Sequence, residues 1–193
     1  MRKMKKRNLS ADKIVECLRE LSKELPPQQI TFQHLAKQLD IKSPSLYNYF
    51  KNIQEVRNAL TVKLLQELND QLRRRLVGLS GAEAIRSYAD TYQTFAFENQ
   101  PIYELMINIP QTGDERSIDA IHETNQIILQ ILGAFPLTEQ EKIHRSRELR
   151  SLIHGYVSLR FLGYFTKETQ VDSEESYHWM IDHFIETLPE IEG

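Results

Sequence analysis

The chain has a single cysteine, Cys17, among its 193 residues. One thiol excludes an intramolecular disulfide framework and fits a reducing, cytoplasmic setting. Cys17 shares the face of Ile14, Leu18, Leu21 and Leu25, where nothing basic would activate it, so a packed core thiol is expected. No apolar run approaches the roughly 18 residues that a membrane span needs, so no membrane partner is expected. The opening MRKMKKRNLS is basic, but no apolar region follows it, and a secretory signal is not expected. The sequence also lacks a Gly-rich phosphate loop, a Cys-His zinc pattern and a Ser-centred elbow, so no cofactor is assigned. Internal repeats and low-complexity segments are absent as well.

Charge is present but unevenly placed. Residues 1–75 hold 16 Lys and Arg against 8 Asp and Glu, a net of +8, while residues 76–193 hold 8 against 19, a net of −11. A basic N-terminal part joined to an acidic remainder suits a protein whose N-terminal part meets phosphates. The run Arg73-Arg74-Arg75 lies well past the segment discussed next and reads as solvated helix surface.

Apolar periodicity and breakers predict nine helices and no strands. The first spans Leu9 to Leu25 and is stopped by Pro26-Pro27. A short pair follows within Ile30–Phe50. The fourth runs from Asn52 to about Leu76, with Val56, Leu60, Leu64, Leu65 and Leu68 in one stripe, and Gly78 and Gly81 break it. A fifth is expected over Gly81–Asn99, a sixth from Pro101 to before Pro110, and a seventh over Glu115–Phe135. The eighth, Glu139 to Phe165, opens on a capping box formed by Thr138 and Glu141. The ninth covers Asp172 to Leu188 and is closed by Pro189.

The short pair carries the most information. In ITFQHLAKQLDIKSPSLYNYF, Phe32, Leu35, Ala36 and Leu39 fall at helical spacing, and Thr31 is the expected N-cap. Asp40 tolerates the left-handed turn, Ile41 plugs the corner, Ser43 is expected to cap the second helix, and Pro44 suits its first position. That second helix buries Leu46 and Phe50 and leaves Ser45, Tyr47, Asn48 and Tyr49 outward. A short helix that presents hydroxyl, amide and aromatic groups suits the major groove of DNA.

Through Thr31, Leu35-Ala36, Asp40-Ile41 and the run Ser43 to Asn52, the segment resembles the DNA-binding domain of the TetR family of repressors. The block Leu-Tyr-x-x-Phe-Lys-Asn is the most specific part, and the strong resemblance covers roughly Asn8 to Leu65. Two positions depart from the pattern: Asp40 replaces the usual turn Gly, and Ile53 replaces a usual Lys. The resemblance implies an all-α protein with a three-helix helix-turn-helix domain at 1–55 and a larger helical effector-binding and dimerisation domain at 56–193. It implies a ligand-responsive repressor that binds double-stranded DNA as a homodimer on a pseudo-palindromic site. Ser43, Pro44, Ser45 and Asn48, with Gln33, are expected to face bases, since Asn and Gln can pair with adenine and Pro-Ser offers a surface to a thymine methyl. Tyr47, Tyr49, Lys51 and Lys42 are expected to hold phosphates, and Arg2, Lys3, Lys5, Lys6 and Arg7 form a basic arm.

In the C-terminal part, Leu152 to Leu159 looks like the His-Gly helix of a TetR subgroup named for a Trp-His-Gly pattern, with Arg150 in the place of the Trp. Gly155 and Gly163, eight residues apart, suggest close approach of another helix. Gly155, Leu159, Phe161, Gly163, Trp179 and Phe184 are the expected dimer contacts, because the family's last two long helices form a dimer four-helix bundle. Tyr88, Tyr92, Phe95, Tyr103, Met106, Ile121, Asn125 and His154 are the expected lining of a pocket for a small apolar or aromatic effector, although the same residues would also suit a helical core. A different class of function, a helical metal carrier or enzyme, rests on Asp119/His122, Glu141/His144 and Glu175/His178, each pair at the i, i+3 spacing of di-iron bundles. No second set of buried glutamates supports it, and these pairs read as solvated surface.

Overall fold

A computed structural model describes residues 9–107, 114–166 and 170–191. Among them are eight α-helices, three short 3-10 segments and no strand. The chain packs as two compact units, one of Met1–Leu64 with Pro101–Ile118 and the other of Leu65–Gln100 with Asp119–Gly193.

In the first unit, α1 (Ala11–Leu21) starts at Ser10, whose hydroxyl accepts a hydrogen bond from the Lys13 N–H at 3.2 Å. It buries Ile14, Val15, Cys17 and Leu18. Burial raises the Cys17 pKa to about 11, so the thiol stays protonated at neutral pH. Helix α2 (Phe32–Leu39) buries Phe32, Leu35 and Ala36. The Thr31 N–H donates to His34 Nδ1 at 3.2 Å. At the other end Asp40 takes φ 52°, and the Ile41 N–H donates back to the Ala36 carbonyl at 3.0 Å. The left-handed residue lets two end carbonyls of the helix find donors.

Residues Ser43–Asn48 then form a 3-10 helix, where an α-helix was expected. The Ser45 N–H donates to Lys42 O and the Tyr49 N–H to Leu46 O, both at 2.9 Å, which are i to i+3 bonds. The capping position is Lys42, not Ser43, and no side chain caps the turn. With Pro44 lacking a donor and only six residues to fix, the tighter helix satisfies the segment.

Helix α3 (Ile53–Leu76) follows, led by the Glu55 N–H donating to Asn52 Oδ1 at 3.0 Å. Its Arg57 ties down the loop that precedes α2. Nε donates to the Pro27 carbonyl at 3.0 Å, and Nη2 to those of Gln28 and Ile30 at 3.0 and 3.1 Å. Lys63 reaches Asp12 and Glu16 on α1, each at 2.7 Å. The single-turn α5 (Tyr103–Ile107) belongs to this unit.

Helix α6 (Glu115–Leu132) begins in the first unit, and the second unit holds it from Asp119 on, with the rest of α3, α4 (Gly81–Glu98), α7 (Glu139–Phe161) and α8 (Ser173–Glu186). Helix α4 packs on both α7 and α8, which also pack on each other. A buried polar link joins α3 to α6: Asn69 Nδ2 donates to the Ala120 carbonyl at 3.2 Å, and the Thr124 hydroxyl donates to Asn69 Oδ1 at 2.8 Å. The Thr138 capping box is present, with the Thr138 N–H donating to Glu141 Oε2 at 2.8 Å.

Helix α7 stops at Phe161, four residues before the expected end. Gly163 takes φ 84°, the Gly163 N–H bonds the Arg160 carbonyl, and the Tyr164 N–H bonds the Leu159 carbonyl at 2.9 Å. Gly163 is thus a helix-terminating residue, chosen for its positive φ, and not a helix-interior site of close approach.

Candidate functional site

The reading segment is held from below. Leu46 is fully buried and Phe50 nearly so, while Pro44, Tyr47, Asn48 and Tyr49 are exposed and Ser43 and Ser45 half-buried. Gln33, at the start of α2, and Lys42 and Lys51 are exposed too. Every sequence-assigned DNA-facing residue therefore lies on the first unit's surface, from Gln33 to Lys51. Tyr47 leans edge-on against Phe32, with ring centroids 5.0 Å apart, which limits its rotation. Tyr49 carries a constraint that sequence reasoning missed: its hydroxyl donates to the Leu9 carbonyl at 2.8 Å. While that bond holds, Tyr49 anchors the entry to α1 and has no proton for a phosphate. The basic arm at Arg2–Arg7 lies outside the described residues.

The residues expected to share one pocket are divided between the two units. Tyr103 and Met106 are buried in the first. In the second, Tyr88, Tyr92 and Phe95 are buried on α4, and Ile121, Asn125 and His154 are half-buried on α6 and α7. Four side chains of three helices gather there in two pairs. His154 Nε2 lies 3.2 Å from the Tyr92 hydroxyl, with the rings edge-on at 5.2 Å, and Arg150 Nη1 donates to Asn125 Oδ1 at 2.9 Å.

Burial, aided by the positive charge of Arg150, lowers the His154 pKa from 6.5 to about 4, so the imidazole is neutral at pH 7. The folded-state value lies below the unfolded one. As pH falls the unfolded chain therefore takes up the proton first, and stability present above pH 6.5 is lost as pH falls towards about 4. The full loss is on the order of 3 kcal/mol. Urea denaturation of the chain and of His154→Gln across this range is expected to show a shallower acid dependence in the variant; equal slopes would mean that His154 does not titrate differently on folding.

Helices α7 and α8 present an open apolar face. Trp179 is 66% exposed, Leu162 74%, and Leu159, Tyr164, Phe165 and Val171 are exposed as well. A groove of about 630 Å³ runs beside them, lined by Tyr156, Phe165, Val171, Trp179 and Met180 among others. Gly155 is exposed, and a Cβ placed there would meet nothing within 4 Å, so no described helix of this chain closely approaches it. Phe161 is half-buried, 5.5 Å from the Phe97 ring. Phe184 is 2% exposed and belongs to the unit's core, not to the open face. Leu162, Tyr164 and Phe165 were missed by sequence reasoning, which placed them inside a longer helix.

The carboxylate–imidazole pairs do not converge. His122, His144 and His178 are exposed, and Glu141 is committed to the Thr138 cap. Among the described residues no group of three His, Cys, Asp or Glu could hold a metal ion, and no helix is long and apolar enough to cross a membrane.

Comparison with known proteins bears on the family and the fold. Residues 85–184 match the family model described as "Tetracyclin repressor-like, C-terminal domain". The chain belongs to the TetR family. It is 29% identical over 182 residues to YobS of Bacillus subtilis (strain 168), described as an uncharacterized HTH-type transcriptional regulator, with 93% of each chain covered. A protein of unknown function from Rhodococcus sp. RHA1 shares the TetR-like fold at TM-score 0.82 and 14% identity, covering 97% of this chain and 100% of its own. A TetR variant from Acinetobacter baumannii AYE, solved in complex with minocycline, superposes at TM-score 0.67 and 16% identity, covering 93% and 96%. This TetR-family chain is a helix-turn-helix transcriptional regulator and not an enzyme.

Proposed function

We propose that this TetR-family regulator is a cytoplasmic, ligand-responsive repressor that binds a pseudo-palindromic operator as a homodimer. The observation that carries the DNA-binding part is the reading segment: Leu46 and Phe50 pin it, and a contiguous polar surface from Ser43 to Lys51 stays open. In this reading Ser43, Pro44, Ser45, Asn48 and Gln33 contact bases, and Lys42, Tyr47 and Lys51 hold phosphates. Tyr49 acts chiefly through Leu9. A DNA-binding domain of about residues 1–55 joins an effector and dimerisation domain of 56–193. The open face of α7 and α8 supports a homodimer, since two-fold proteins match paired half-sites. The minocycline held by the Acinetobacter protein supports a small apolar or aromatic effector, here among Tyr88, Tyr92, Phe95, Asn125 and His154 of the second unit. An effector acts only if it binds one arrangement of the reading heads better than the other.

Selection of bound sequences from a random DNA pool tests this directly, and a palindromic consensus is the expected result. Asn48→Ala is expected to relax preference at one base position, at a cost of about 1–3 kcal/mol. Lys51→Ala is expected to weaken all sequences alike and to reduce the salt slope by about 1. An unchanged consensus with Asn48→Ala would remove that residue from base reading.

A further inference from the structure

Among the described residues, Arg150 is a half-buried cation with no carboxylate paired to it. Its Nε donates to the Ser146 carbonyl at 3.2 Å and its Nη1 to Asn125 Oδ1 at 2.9 Å, and both acceptors are neutral. A guanidinium carries five N–H donors in a fork that matches a carboxylate. Three of the five meet no described acceptor, and no described carboxylate pairs with Arg150. Elsewhere in the same unit arginines do find carboxylates: Arg73 pairs with Glu123, Arg86 with Asp182 at 2.7 Å, and Arg145 with Glu148 at 2.8 Å.

One turn along α7 lies His154, close enough for the Arg150 charge to act on it, and His154 meets Tyr92 of α4. A cation, a neutral imidazole, a phenol and an amide thus collect from three helices. Buried on those helices near them are the aromatic and aliphatic Tyr88, Phe95 and Ile128, together with the polar Gln93 and Thr124. Sparse polar groups beside apolar walls orient a ligand by its head and hold it by its body.

From this arrangement we infer that Arg150, positioned by Asn125 and flanked by His154 and Tyr92, is the anion-binding end of the effector site, and that the effector is an amphipathic organic acid whose carboxylate pairs with Arg150. The inference rests on the ligand-responsive reading above and narrows its chemical class from apolar compounds in general to acids. Arg150 takes the head group by a forked hydrogen bond. The hydrogen-bonded Tyr92–His154 pair can donate an O–H or N–H to the second carboxylate oxygen, and the apolar body lies along α4.

The test uses the full chain near neutral pH with two matched probe pairs, octanoate with octanamide and phenylacetate with phenylacetamide. At least one acid is expected to raise the melting temperature and to bind about 10- to 100-fold more tightly than its amide, the range of a charged hydrogen-bonded pair. Arg150→Gln is expected to bring acid binding down to the amide level, whereas Arg150→Lys keeps part of the preference. Asn125→Ala serves as a second variant, expected to weaken acids more than amides even if Arg150→Gln folds poorly. Equal binding of acid and amide, a preference that survives Arg150→Gln, or binding of neither acid overturns the inference. Operator binding separates this from the broader reading. Acids that bind through Arg150 without changing operator affinity leave the site standing and sink the ligand-responsive repressor. Neutral compounds that change operator affinity while the acids do not bind have the opposite consequence.

Discussion

Replacing Trp179 and Leu162 together by glutamate is expected to leave the chain monomeric at micromolar concentration and to weaken operator binding by about 100-fold or more. Both side chains are mostly in solvent, at 66% and 74% exposure, so the substitutions remove little from the chain's own core. They would place like charges on both copies of a two-fold face, where the same patch meets itself. Truncating a buried aromatic anchor in an interface costs about 2–4 kcal/mol, and each added charge would be desolvated on association. A monomer also engages one half-site instead of two, so the loss is carried into DNA binding. Sedimentation velocity and operator titration check both effects, with circular dichroism as the control for folding. A double variant that remains dimeric would place the interface elsewhere, and a wild-type chain that is monomeric would end the dimeric repressor reading.

Leu46→Ala is expected to lower stability by about 2–5 kcal/mol and to abolish binding to every DNA sequence. The reading segment is a six-residue 3-10 helix with no side-chain cap. Its position depends on Leu46, which is fully buried, and on Phe50 at 8% exposure. Removing the larger part of that anchor leaves a cavity under the segment that carries most of the base-facing groups. The outcome differs in kind from Asn48→Ala, which leaves the fold intact and relaxes one base. Urea denaturation with parallel binding measurements distinguishes them: normal stability in Leu46→Ala would show that the segment is held by something other than this contact.

Much of the protein follows from local chemistry and was readable in the residue order. The nine helical segments could be placed because apolar spacing, prolines and caps act within a turn or two of one another. Asp40 in its left-handed turn and the Thr138–Glu141 capping box are local in the same sense. The polar row from Ser43 to Lys51 was visible because Leu46 and Phe50 claim the opposite side of so short a segment. What tertiary structure decided are matters of competition between similar local choices. Ser43–Asn48 adopts 3-10 geometry because its few backbone donors find partners three residues back, and the sequence pattern is the same for either helix. Gly163 ends α7 because φ there is positive, a value composition does not reveal. Trp179 and Phe184 sit on the same helix with similar hydrophobicity, yet one is in solvent and the other in the core. Only the packing of α8 on α4 and α7 separates them. Tyr103 and Met106, expected in the pocket with Tyr88, Tyr92 and Phe95, join the first unit through contacts far apart in the chain. Arg150 occupies the Trp position of a subgroup pattern. The role proposed for it depends on Asn125, 25 residues away, and on there being no carboxylate paired to it among the described residues, neither of which a linear motif contains.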